Sequence, residues 1–248
     1  MRVIAMIPAR YDSSRFPAKA LADIAGKPMI QRVYEQVKKS SVLEDVIVVT
    51  DSEKILKTVE SFGGKAMMTS KDCQSGTDRI AEAVKDVDCE IVVNVQGDEP
   101  LIVHEVIDAA IEPLLNDPNI LMGTAVSRIS DLEDIENHNV AKVVLDKDNF
   151  VIYFSRSAIP CSKNSQPDIY TQVYYKHIGI YVYRKDFVLT FSSLPQMPLE
   201  KIESLEQLRA LEHGYKIKAT IMDYDSVSVD VPEDVERVKE LINKRKML

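Results

Sequence analysis

The sequence has no long apolar run, few cysteines and no excess of basic residues. No stretch approaches the ~20 apolar residues that a membrane-spanning helix requires. Cys73, Cys89 and Cys161 lie far apart, so neither a disulfide framework nor a zinc site is indicated. The formal net charge of −8 argues against broad nucleic-acid binding, which needs a basic surface. The composition therefore predicts a cytoplasmic protein with no nucleic-acid polymer and no membrane among its partners.

The 248 residues also lack a linker rich in Gly, Pro or Ser, an internal repeat and a low-complexity segment. A chain of this length forms one large α/β domain or two small ones. Because nothing divides the sequence, we expect a single domain over residues 1–248, with an inserted subdomain at roughly residues 135–215.

Three continuous apolar runs are typical of strands buried on both faces: Val3–Ile7, Val46–Thr50 and Ile91–Val95. Helical periodicity follows each run, which predicts an α/β fold with a mostly parallel sheet between helices. Ligands of such sheets bind beyond the carboxyl ends of the strands. The polar segments that follow the runs should therefore converge at one edge. These segments are Pro8–Lys19, Thr50-Asp51 and Gln96–Glu99.

The second half of the chain predicts different elements. Residues 146–149 fit a hairpin turn between two short strands. The segment Ile202–His213 predicts one helix that ends at Gly214. Its buried positions would be Ile202, Leu205, Leu208 and Leu211. The apolar run Ser226–Val229 predicts a further strand, with Asp230 directly after it.

The loop after the first strand is basic although the chain is acidic. It contains three cations against Asp12 alone, and Pro8 and Pro17 stiffen it. It matches neither a Walker loop nor a dinucleotide fingerprint. Its candidates for contact with a triphosphate are Arg10, Ser13, Ser14, Arg15 and Lys19. A solvated basic loop is the alternative, and composition does not separate the two.

Two further segments carry polar groups near strand or helix ends. Ser75–Arg79 precedes an apolar-periodic helix, where Ser75 fits either an N-cap or a contact to a base or ribose. Asp98 follows a buried strand next to Gly97, a place suited to a hard divalent cation such as Mg²⁺. Asp230 would supply a second carboxylate. The alternatives are a turn residue for Asp98 and a helix cap for Asp230, and for Asp230 alone the cap is favoured.

The second half also offers a mixture of polar groups that suits a polyhydroxylated carboxylic acid: a cation for the carboxylate, and neutral groups for the hydroxyls. The candidates are Arg156, His177, Tyr181, Glu206 and Gln207. Each has an ordinary alternative, such as a surface ion pair for Arg156 or a satisfied core position for His177.

Together these segments resemble, in order, the bacterial 3-deoxy-manno-octulosonate (Kdo) cytidylyltransferases. The resemblance spans nearly the whole chain. The matching runs are Ile7–Lys19, Leu21–Tyr34, Ser75–Glu82, Val93–Ile102, Tyr153–Pro160, Lys176–Tyr183, Pro198–Ile217 and Val229–Val238. The resemblance implies a three-layer α/β fold of the nucleotide-diphospho-sugar transferase type, a homodimer and Mg²⁺ dependence. It also implies transfer of CMP from CTP to the anomeric hydroxyl of Kdo, an acidic eight-carbon sugar of lipopolysaccharide, with release of pyrophosphate.

The resemblance also assigns roles to the candidate residues. Arg10, Lys19 and Asp98 would be catalytic, and Asp98 and Asp230 would bind Mg²⁺. The nucleotide would contact Arg10, Ser13, Ser14, Arg15, Lys19, Ser75 and Arg79. The sugar acid would contact Gln96, Arg156, His177, Tyr181, Glu206 and Gln207. No side chain stands out as a general base, so metal coordination is expected largely to replace one.

The sequence departs from the family pattern in its loop, where Ala18 stands in place of the usual Gly before Lys19. This matters if the backbone there requires a positive φ. Other short segments, including Phe62–Lys65, resemble the branch that activates the 8-amino analogue of Kdo. That sugar is the first alternative substrate, and a sialic-acid-type sugar is the second. A nucleotide-sensing module without turnover is the alternative from a different class.

Overall fold

The computed structural model describes residues 1–12, 16–163, 169, 173–225 and 227–246. They belong to two compact units. Unit 1 consists of Met1–Asp108 with residues 226–248, and unit 2 consists of Ala109–Asp225. The prediction of a single domain with an insertion near residues 135–215 remains a prediction. In the described residues, none of the helices combines the length and the apolar character needed to cross a membrane.

The chain contains strands throughout both units. The strands are β1 (Val3–Ala9), β2 (Asp23–Ile24), β3 (Lys27–Pro28), β4 (Asp45–Thr50), β5 (Lys65–Met68), β6 (Ile91–Val95), β7 (Met122–Arg128), β8 (Lys142–Leu145), β9 (Val151–Ser155), β10 (Tyr175–Arg184) and β11 (Ile217–Met222).

Helices separate most of these strands. The α-helices are α1 (Met29–Val37), α2 (Glu53–Ser61), α3 (Gly76–Ala83), α4 (His104–Asn116), α5 (Leu132–Glu136), α6 (Lys185–Ser193), α7 (Pro198–Glu203), α8 (Leu208–Glu212) and α9 (Asp234–Lys246). Short 3-10 turns cover Lys19–Leu21 and Val84–Asp86.

Unit 1 is built on a parallel sheet in the order β6-β1-β4-β5. The apolar runs predicted to be strands form three of these four strands, β1, β4 and β6, and their side chains are buried almost without exception. Helix α1 buries Ile30, Val33 and Val37, one stripe at helical spacing. The three runs, the parallel pairing and the α/β class predicted from the sequence are thus confirmed in this unit.

In unit 2, β7 lies between β10, which runs antiparallel to it, and β11, which runs parallel. Strands β8 and β9 form the predicted hairpin, and β8 also pairs with β10. The turn contains Asn149 at φ 57°, a left-handed conformation that asparagine tolerates better than most residues. The backbone N–H of Asp146 donates to the carbonyl of Phe150 at 2.8 Å and closes the turn.

The single helix predicted over Ile202–His213 is wrong. Two short helices, α7 and α8, cover this region, and Ser204 between them has φ 52°. A left-handed residue ends a helix, so the apolar period does not continue across it. Ile202 is consequently 78% exposed, whereas Leu205 and Leu208 are buried as predicted. Gly214, at φ 80°, ends α8 as expected.

The strand predicted over Ser226–Val229 is also wrong for residues 227–229, while Ser226 lies outside the described residues. The backbone groups of Val229 have other partners. Its N–H donates to the Asp98 carbonyl at 2.9 Å, and its carbonyl accepts from Lys19 Nζ at 3.0 Å. Val229 therefore ties a loop to the end of β6 instead of joining a ladder.

Candidate functional site

A cavity of about 250 Å³ opens within unit 1. Three segments line most of it: the end of β1 with the loop that follows, the turn before α3 and the residues after β6. The lining residues are Pro8, Ala9, Arg10, Lys19, Ala20, Met29, Cys73, Gln74, Ser75, Gly76, Arg79, Gln96, Gly97, Asp98 and Asp230. The predicted convergence is confirmed for the segments that follow β1 and β6, whereas Thr50 and Asp51, which follow β4, do not line the cavity. Strand direction explains it, because parallel strands end at the same edge.

The loop after β1 is closed at Ala18. The N–H of Ala18 donates to the Tyr11 carbonyl at 2.9 Å, and the 3-10 turn Lys19–Leu21 begins directly after it. Ala18 has φ 57° and ψ 26°. The backbone at Ala18 therefore has a positive φ. Glycine, the usual residue of the family at this position, adopts this conformation without strain. An alanine Cβ there costs roughly 1 kcal/mol.

Lys19 lies between the two predicted metal ligands. Its Nζ is 2.7 Å from Asp98 Oδ2 and 3.9 Å from Asp230 Oδ1. The Lys19 and Asp98 side chains are 17% and 28% exposed, whereas that of Asp230 is 46% exposed. The cation and both carboxylates therefore form one cluster, partly withdrawn from solvent.

The loop that carries Asp230 is fixed by a neighbouring carboxylate. Asp234 accepts hydrogen bonds from the backbone N–H groups of Asp230, at 2.8 Å, and of Val231, at 3.0 Å. Since Asp234 opens α9, its carboxylate also lies at the end of the helix that favours negative charge. Asp234 thus supplies the carboxylate at the start of α9, whereas the sequence had suggested Asp230 as the helix cap. Asp230 lines the cavity instead.

Gly97 allows the end of β6 to approach the loop after β1. A Cβ added at Gly97 would lie 3.0 Å from the Pro8 backbone carbonyl oxygen, and one at Gly76 would lie 3.1 Å from Pro8 Cγ. Backbone atoms cannot move aside as a flexible side chain can. A side chain at position 97 would therefore push the Asp98 loop away from β1.

The turn before α3 forms a capping box. Ser75 Oγ accepts from the Asp78 N–H, and an Asp78 carboxylate oxygen accepts from the Ser75 N–H, both at 3.1 Å. Ser75 is thus the N-cap, as one of its two interpretations predicted, and it also lines the cavity. Its contact with a nucleotide remains a prediction.

Arg79 is buried, and its guanidinium binds protein groups. It donates to Asp51 Oδ2 at 2.7 Å, to Thr69 Oγ1 at 2.5 Å and to the Ser70 carbonyl at 3.2 Å. These contacts join α3 to the ends of β4 and β5. The contacts indicate that Arg79 holds the shape of the cavity wall, whereas its predicted contact with the nucleotide remains untested. The sequence pointed to Asp51 only as a strand end.

Two other wall residues have local partners. Gln96 Nε2 donates to Asn94 Oδ1 at 3.1 Å. The thiol of Cys73 donates to Glu82 Oε2 at 3.3 Å, and burial together with this carboxylate raises its pKa to about 11. Cys73 is consequently a protonated and weakly nucleophilic thiol. From the sequence, Cys73 was considered only as one of three widely spaced cysteines.

Unit 2 places His177 at a bulge of β10. The register of β10 against β7 shifts between Ile178 and Tyr181, which frees the Ile180 carbonyl from the ladder. The Thr124 hydroxyl donates to that carbonyl at 2.7 Å, so it accepts from His177 Nε2 at 2.9 Å. Because Nε2 carries the proton, Nδ1 is an acceptor. Burial lowers the pKa of His177 to about 3, so the ring is neutral at physiological pH.

Tyr181 and Gln207 form a second polar pair beside this ring. Tyr181 packs against His177 with ring centroids 5.1 Å apart, and its hydroxyl donates to Gln207 Oε1 at 2.9 Å. Burial raises the pKa of Tyr181 well above its usual value, which keeps the phenol protonated. Gln207 Nε2 is buried and has no hydrogen-bond partner within the described part of the chain.

Arg156 is held by backbone carbonyls. Its guanidinium donates to the carbonyls of Glu203, at 2.8 Å, of His138, at 2.9 Å, and of Ser204, at 3.4 Å. The carboxylate of Glu203 instead accepts from the Arg156 backbone N–H and from the Ser155 hydroxyl. Among the described residues no carboxylate forms an ion pair with Arg156, so its charge is oriented but not neutralised by a salt bridge.

Lys142 supports the same region and was not predicted as a site residue. Its ammonium is fully buried and donates to the carbonyls of Asn137, Val140 and Arg156 at 2.8, 2.7 and 2.6 Å. All three of its protons therefore have acceptors. Burial lowers the pKa of Lys142. A lysine inside the otherwise apolar strand β8 was the available sequence signal.

The predicted site residues thus occur in two groups. The cavity of unit 1 contains Arg10, Lys19, Ser75, Arg79, Gln96, Asp98 and Asp230. Unit 2 contains Arg156, His177, Tyr181, Glu206 and Gln207. Within this group Tyr181 contacts both His177 and Gln207. Ser13, Ser14 and Arg15 lie outside the described residues.

Comparisons with known proteins agree with this geometry. A family model described as "Cytidylyltransferase" matches residues 4–217. The 3-deoxy-manno-octulosonate cytidylyltransferase of Geotalea uraniireducens (strain Rf4) is 49% identical, over 98% of this chain and 100% of the relative. The chain belongs to the family of 3-deoxy-manno-octulosonate cytidylyltransferases. The family resemblance inferred from the sequence motifs is confirmed, and with it the class of enzyme, a nucleotidyltransferase.

Solved structures of cytidylyltransferases share the fold. A structure of CMP:2-keto-3-deoxy-manno-octonic acid synthetase complexed with CTP is 38% identical, with a TM-score of 0.93, over 99% of this chain and 100% of the other. A 4-diphosphocytidyl-2C-methyl-D-erythritol synthase from Anaerococcus prevotii is 14% identical, with a TM-score of 0.63, over 98% of both chains. At that identity the second likeness concerns the fold alone. The fold predicted for the chain, that of the nucleotide-diphospho-sugar transferases, is confirmed.

Proposed function

We propose that this cytidylyltransferase transfers CMP from CTP to the anomeric hydroxyl of Kdo and releases pyrophosphate, a step that supplies activated sugar for lipopolysaccharide synthesis. The observation that carries the proposal is the unit 1 cavity, which is lined by three cations and two carboxylates: Arg10, Lys19, Arg79, Asp98 and Asp230. The relative that is 49% identical along its full length bears the name of this activity.

The cavity supplies positioning and charge for phosphoryl-group chemistry. The sugar hydroxyl attacks the α-phosphorus in line, the bond to the bridging oxygen breaks, and pyrophosphate leaves. Enzymes of this kind act chiefly by orienting the reactants and by stabilising the charge that develops. Arg10 is exposed at the mouth of the cavity, and Lys19 lies deeper in its wall. We assign both to the triphosphate.

Asp98 and Asp230 fit a Mg²⁺ ion. Mg²⁺ prefers oxygen ligands and is usually held by one or two carboxylates together with substrate phosphates. The described residues contain no group of three or more potential ligands, so a site here needs the nucleotide to complete it. When bound, Mg²⁺ would neutralise phosphate charge and lower the pKa of the attacking hydroxyl. A metal that lowers this pKa would reduce the need for a protein base to take up the proton.

Unit 2 offers the groups that an acidic sugar requires. Arg156 presents an oriented cation without a carboxylate partner among the described residues, which suits the sugar carboxylate. His177 Nδ1 offers an acceptor and Gln207 Nε2 a donor for hydroxyls. Tyr181 and Glu206, which precedes Gln207 in sequence, complete the set that we assign to the sugar in unit 2.

We also propose a homodimer in the cytoplasm. Unit 2 exposes apolar side chains that a second copy would cover: Ile202 is 78%, Ile152 59% and Leu199 39% exposed. Light scattering tests the dimer: Ile202→Lys should shift the molecular mass toward that of a monomer.

The proposed compartment agrees with the state of the cysteines. Cys73, Cys89 and Cys161 are free thiols, which suits a reducing compartment such as the cytoplasm.

A pyrophosphate-release assay with CTP and Mg²⁺ tests the activity directly. Kdo, 8-amino-Kdo and N-acetylneuraminate are compared as acceptors. We expect the largest kcat/KM with Kdo. A larger kcat/KM for 8-amino-Kdo would identify that sugar as the substrate, and the proposed reaction would remain the same. Failure to release pyrophosphate with any of the three sugars would favour a nucleotide-sensing module and overturn the proposal.

A further inference from the structure

The ammonium of Lys19 faces three oxygens at the place proposed for the metal. These oxygens are Asp98 Oδ2 at 2.7 Å, the Val229 carbonyl at 3.0 Å and Asp230 Oδ1 at 3.9 Å. The same lysine is assigned to the triphosphate, and the same two carboxylates are assigned to Mg²⁺. Like charges repel, so the Lys19 ammonium and a metal ion held by the same carboxylates would be unfavourable neighbours.

Charge explains why Lys19 lies beside these two carboxylates. Two carboxylates that share a site repel each other unless a cation lies between them. The Lys19 and Asp98 side chains are largely withdrawn from solvent, which strengthens their attraction relative to an exposed pair. Lys19 therefore supplies the positive charge that a divalent cation would supply in the loaded enzyme.

We propose that Lys19 is an internal counterion that competes with the divalent cation for Asp98 and Asp230. In the nucleotide-free enzyme its ammonium weakens metal binding. The triphosphate offers the ammonium a stronger partner, and its departure opens the carboxylates to the metal. This inference rests on the proposed nucleotide and metal roles of the cavity, and it adds a coupling between the two ligands that neither role implies.

The local structure allows this exchange. Lysine carries its charge on a flexible four-carbon stem, so Nζ can move without movement of the backbone. The backbone itself is fixed by the Ala18–Tyr11 hydrogen bond and the 3-10 turn that follows. Asp98 and Asp230 are also tethered, through Val229 and Asp234. The carboxylates thus stay in place while the ammonium changes partner.

Coupling of this kind is reciprocal. If nucleotide raises the affinity for the metal, the metal raises the affinity for nucleotide by the same factor. The enzyme would then avoid a tightly bound metal in an empty cavity and would bind nucleotide and metal together. Lys19 is a positioning residue in this step, because it acts on the metal through the two carboxylates.

Mn²⁺ binding followed by electron paramagnetic resonance, without nucleotide or sugar, tests the proposal on the whole chain. We expect Lys19→Met to bind Mn²⁺ about tenfold more tightly than the unchanged protein, the equivalent of about 1.4 kcal/mol. Lys19→Gln should behave in the same way, which guards against a folding defect in one variant. Lys27→Met is the matched control, because Lys27 pairs with Glu35 on the surface of unit 1, and it should leave the affinity unchanged.

A second titration adds CTP in the absence of sugar, so that no transfer occurs. CTP should raise the Mn²⁺ affinity of the Lys19→Met variant by about tenfold less than that of the unchanged protein, because part of the coupling is already gone. Equal or weaker Mn²⁺ binding by both Lys19 variants would overturn the counterion proposal.

Asp98→Asn separates this result from the proposed function. Loss of Mn²⁺ binding in Asp98→Asn, with no gain in the Lys19 variants, would retain the metal site and reject the counterion. Unchanged Mn²⁺ binding in Asp98→Asn would reject the metal site and the counterion together. The pyrophosphate assay would still decide whether the enzyme transfers CMP.

Discussion

The two units present their polar groups in different ways. In unit 1 the cavity is lined by charged side chains near the ends of parallel strands, and its central cation is shared by two carboxylates. In unit 2 three candidate groups, His177, Tyr181 and Gln207, are neutral, the last two are buried, and the charge of Arg156 is directed by carbonyls. The difference matches two tasks: a highly charged nucleotide needs mobile charge, whereas a polyhydroxylated acid needs fixed donors and acceptors.

The largest expected effect concerns the charged centre of unit 1. Asp98→Asn should lower kcat by about a thousandfold at saturating Mg²⁺, because one carboxylate ligand is lost where several kcal/mol of charge stabilisation are needed. Initial rates of pyrophosphate release provide the measurement. Asp86→Asn, at an exposed position of the same unit, should retain the full rate. Near-normal turnover of Asp98→Asn would remove Asp98 from the metal site.

The next effect tests the buried support of unit 2. Lys142→Met removes a buried ammonium that donates to three backbone carbonyls, so the free energy of unfolding should fall by about 2 to 4 kcal/mol. Urea denaturation measures this change. Lys147→Met is the control, because Lys147 is 88% exposed in the hairpin turn of the same unit. Similar unfolding of both variants would show that the Lys142 contacts add little.

A smaller effect follows from the neutral state of His177. Its folded pKa, about 3, lies below the unfolded value of 6.5. The unfolded chain therefore binds a proton that the folded chain does not, so His177 lowers stability as the pH falls from about 6.5 toward 3. Between pH 7 and pH 5 the unchanged protein should lose about 1 to 2 kcal/mol more than His177→Gln.

Urea denaturation at the two pH values measures the His177 effect. His138→Gln, at an exposed position, should follow the unchanged protein. If His177→Gln lost as much stability as the unchanged protein, the ring would titrate normally in the folded state. The description of unit 2 as a site of fixed neutral groups would then be wrong.

The smallest effect concerns the loop of unit 1. Ala18→Gly should raise the free energy of unfolding by about 1 kcal/mol, because glycine adopts φ 57° without a Cβ clash. Ala22→Gly is the matched control: Ala22 has φ −58°, so glycine there should stabilise nothing and should lower stability slightly. Thermal unfolding of the two variants gives the comparison. A loss of stability in Ala18→Gly would contradict the assigned strain.

Much of unit 1 was predictable because each local signal agreed with the next. The apolar runs gave the parallel strands, and strand direction alone brought Arg10, Gln96 and Asp98 to one edge. The sequence also marked Ala18, whose positive φ the structure shows. Residue spacing could not reveal that Lys19 would pair with Asp98, since 79 positions separate them.

Unit 2 was less predictable because its supporting contacts are long-range. The helix predicted over Ile202–His213 failed at Ser204, where a single left-handed residue interrupts an unbroken apolar period. The roles of Lys142 and Thr124 depend on carbonyls freed by a turn and a bulge, features that the side-chain pattern does not encode. The family resemblance identified His177 and Gln207 as site candidates, whereas the hydrogen bonds that orient them required coordinates.

The division of labour between the units can be tested in one steady-state experiment on Arg156→Met. The KM for Kdo and the KM for CTP are measured in the same pyrophosphate-release assay. Loss of a charge-assisted hydrogen bond to the sugar carboxylate should raise the KM for Kdo by about 30-fold, with the KM for CTP unchanged. Equal increases in both constants, or an increase for CTP alone, would contradict the assignment of the sugar to unit 2.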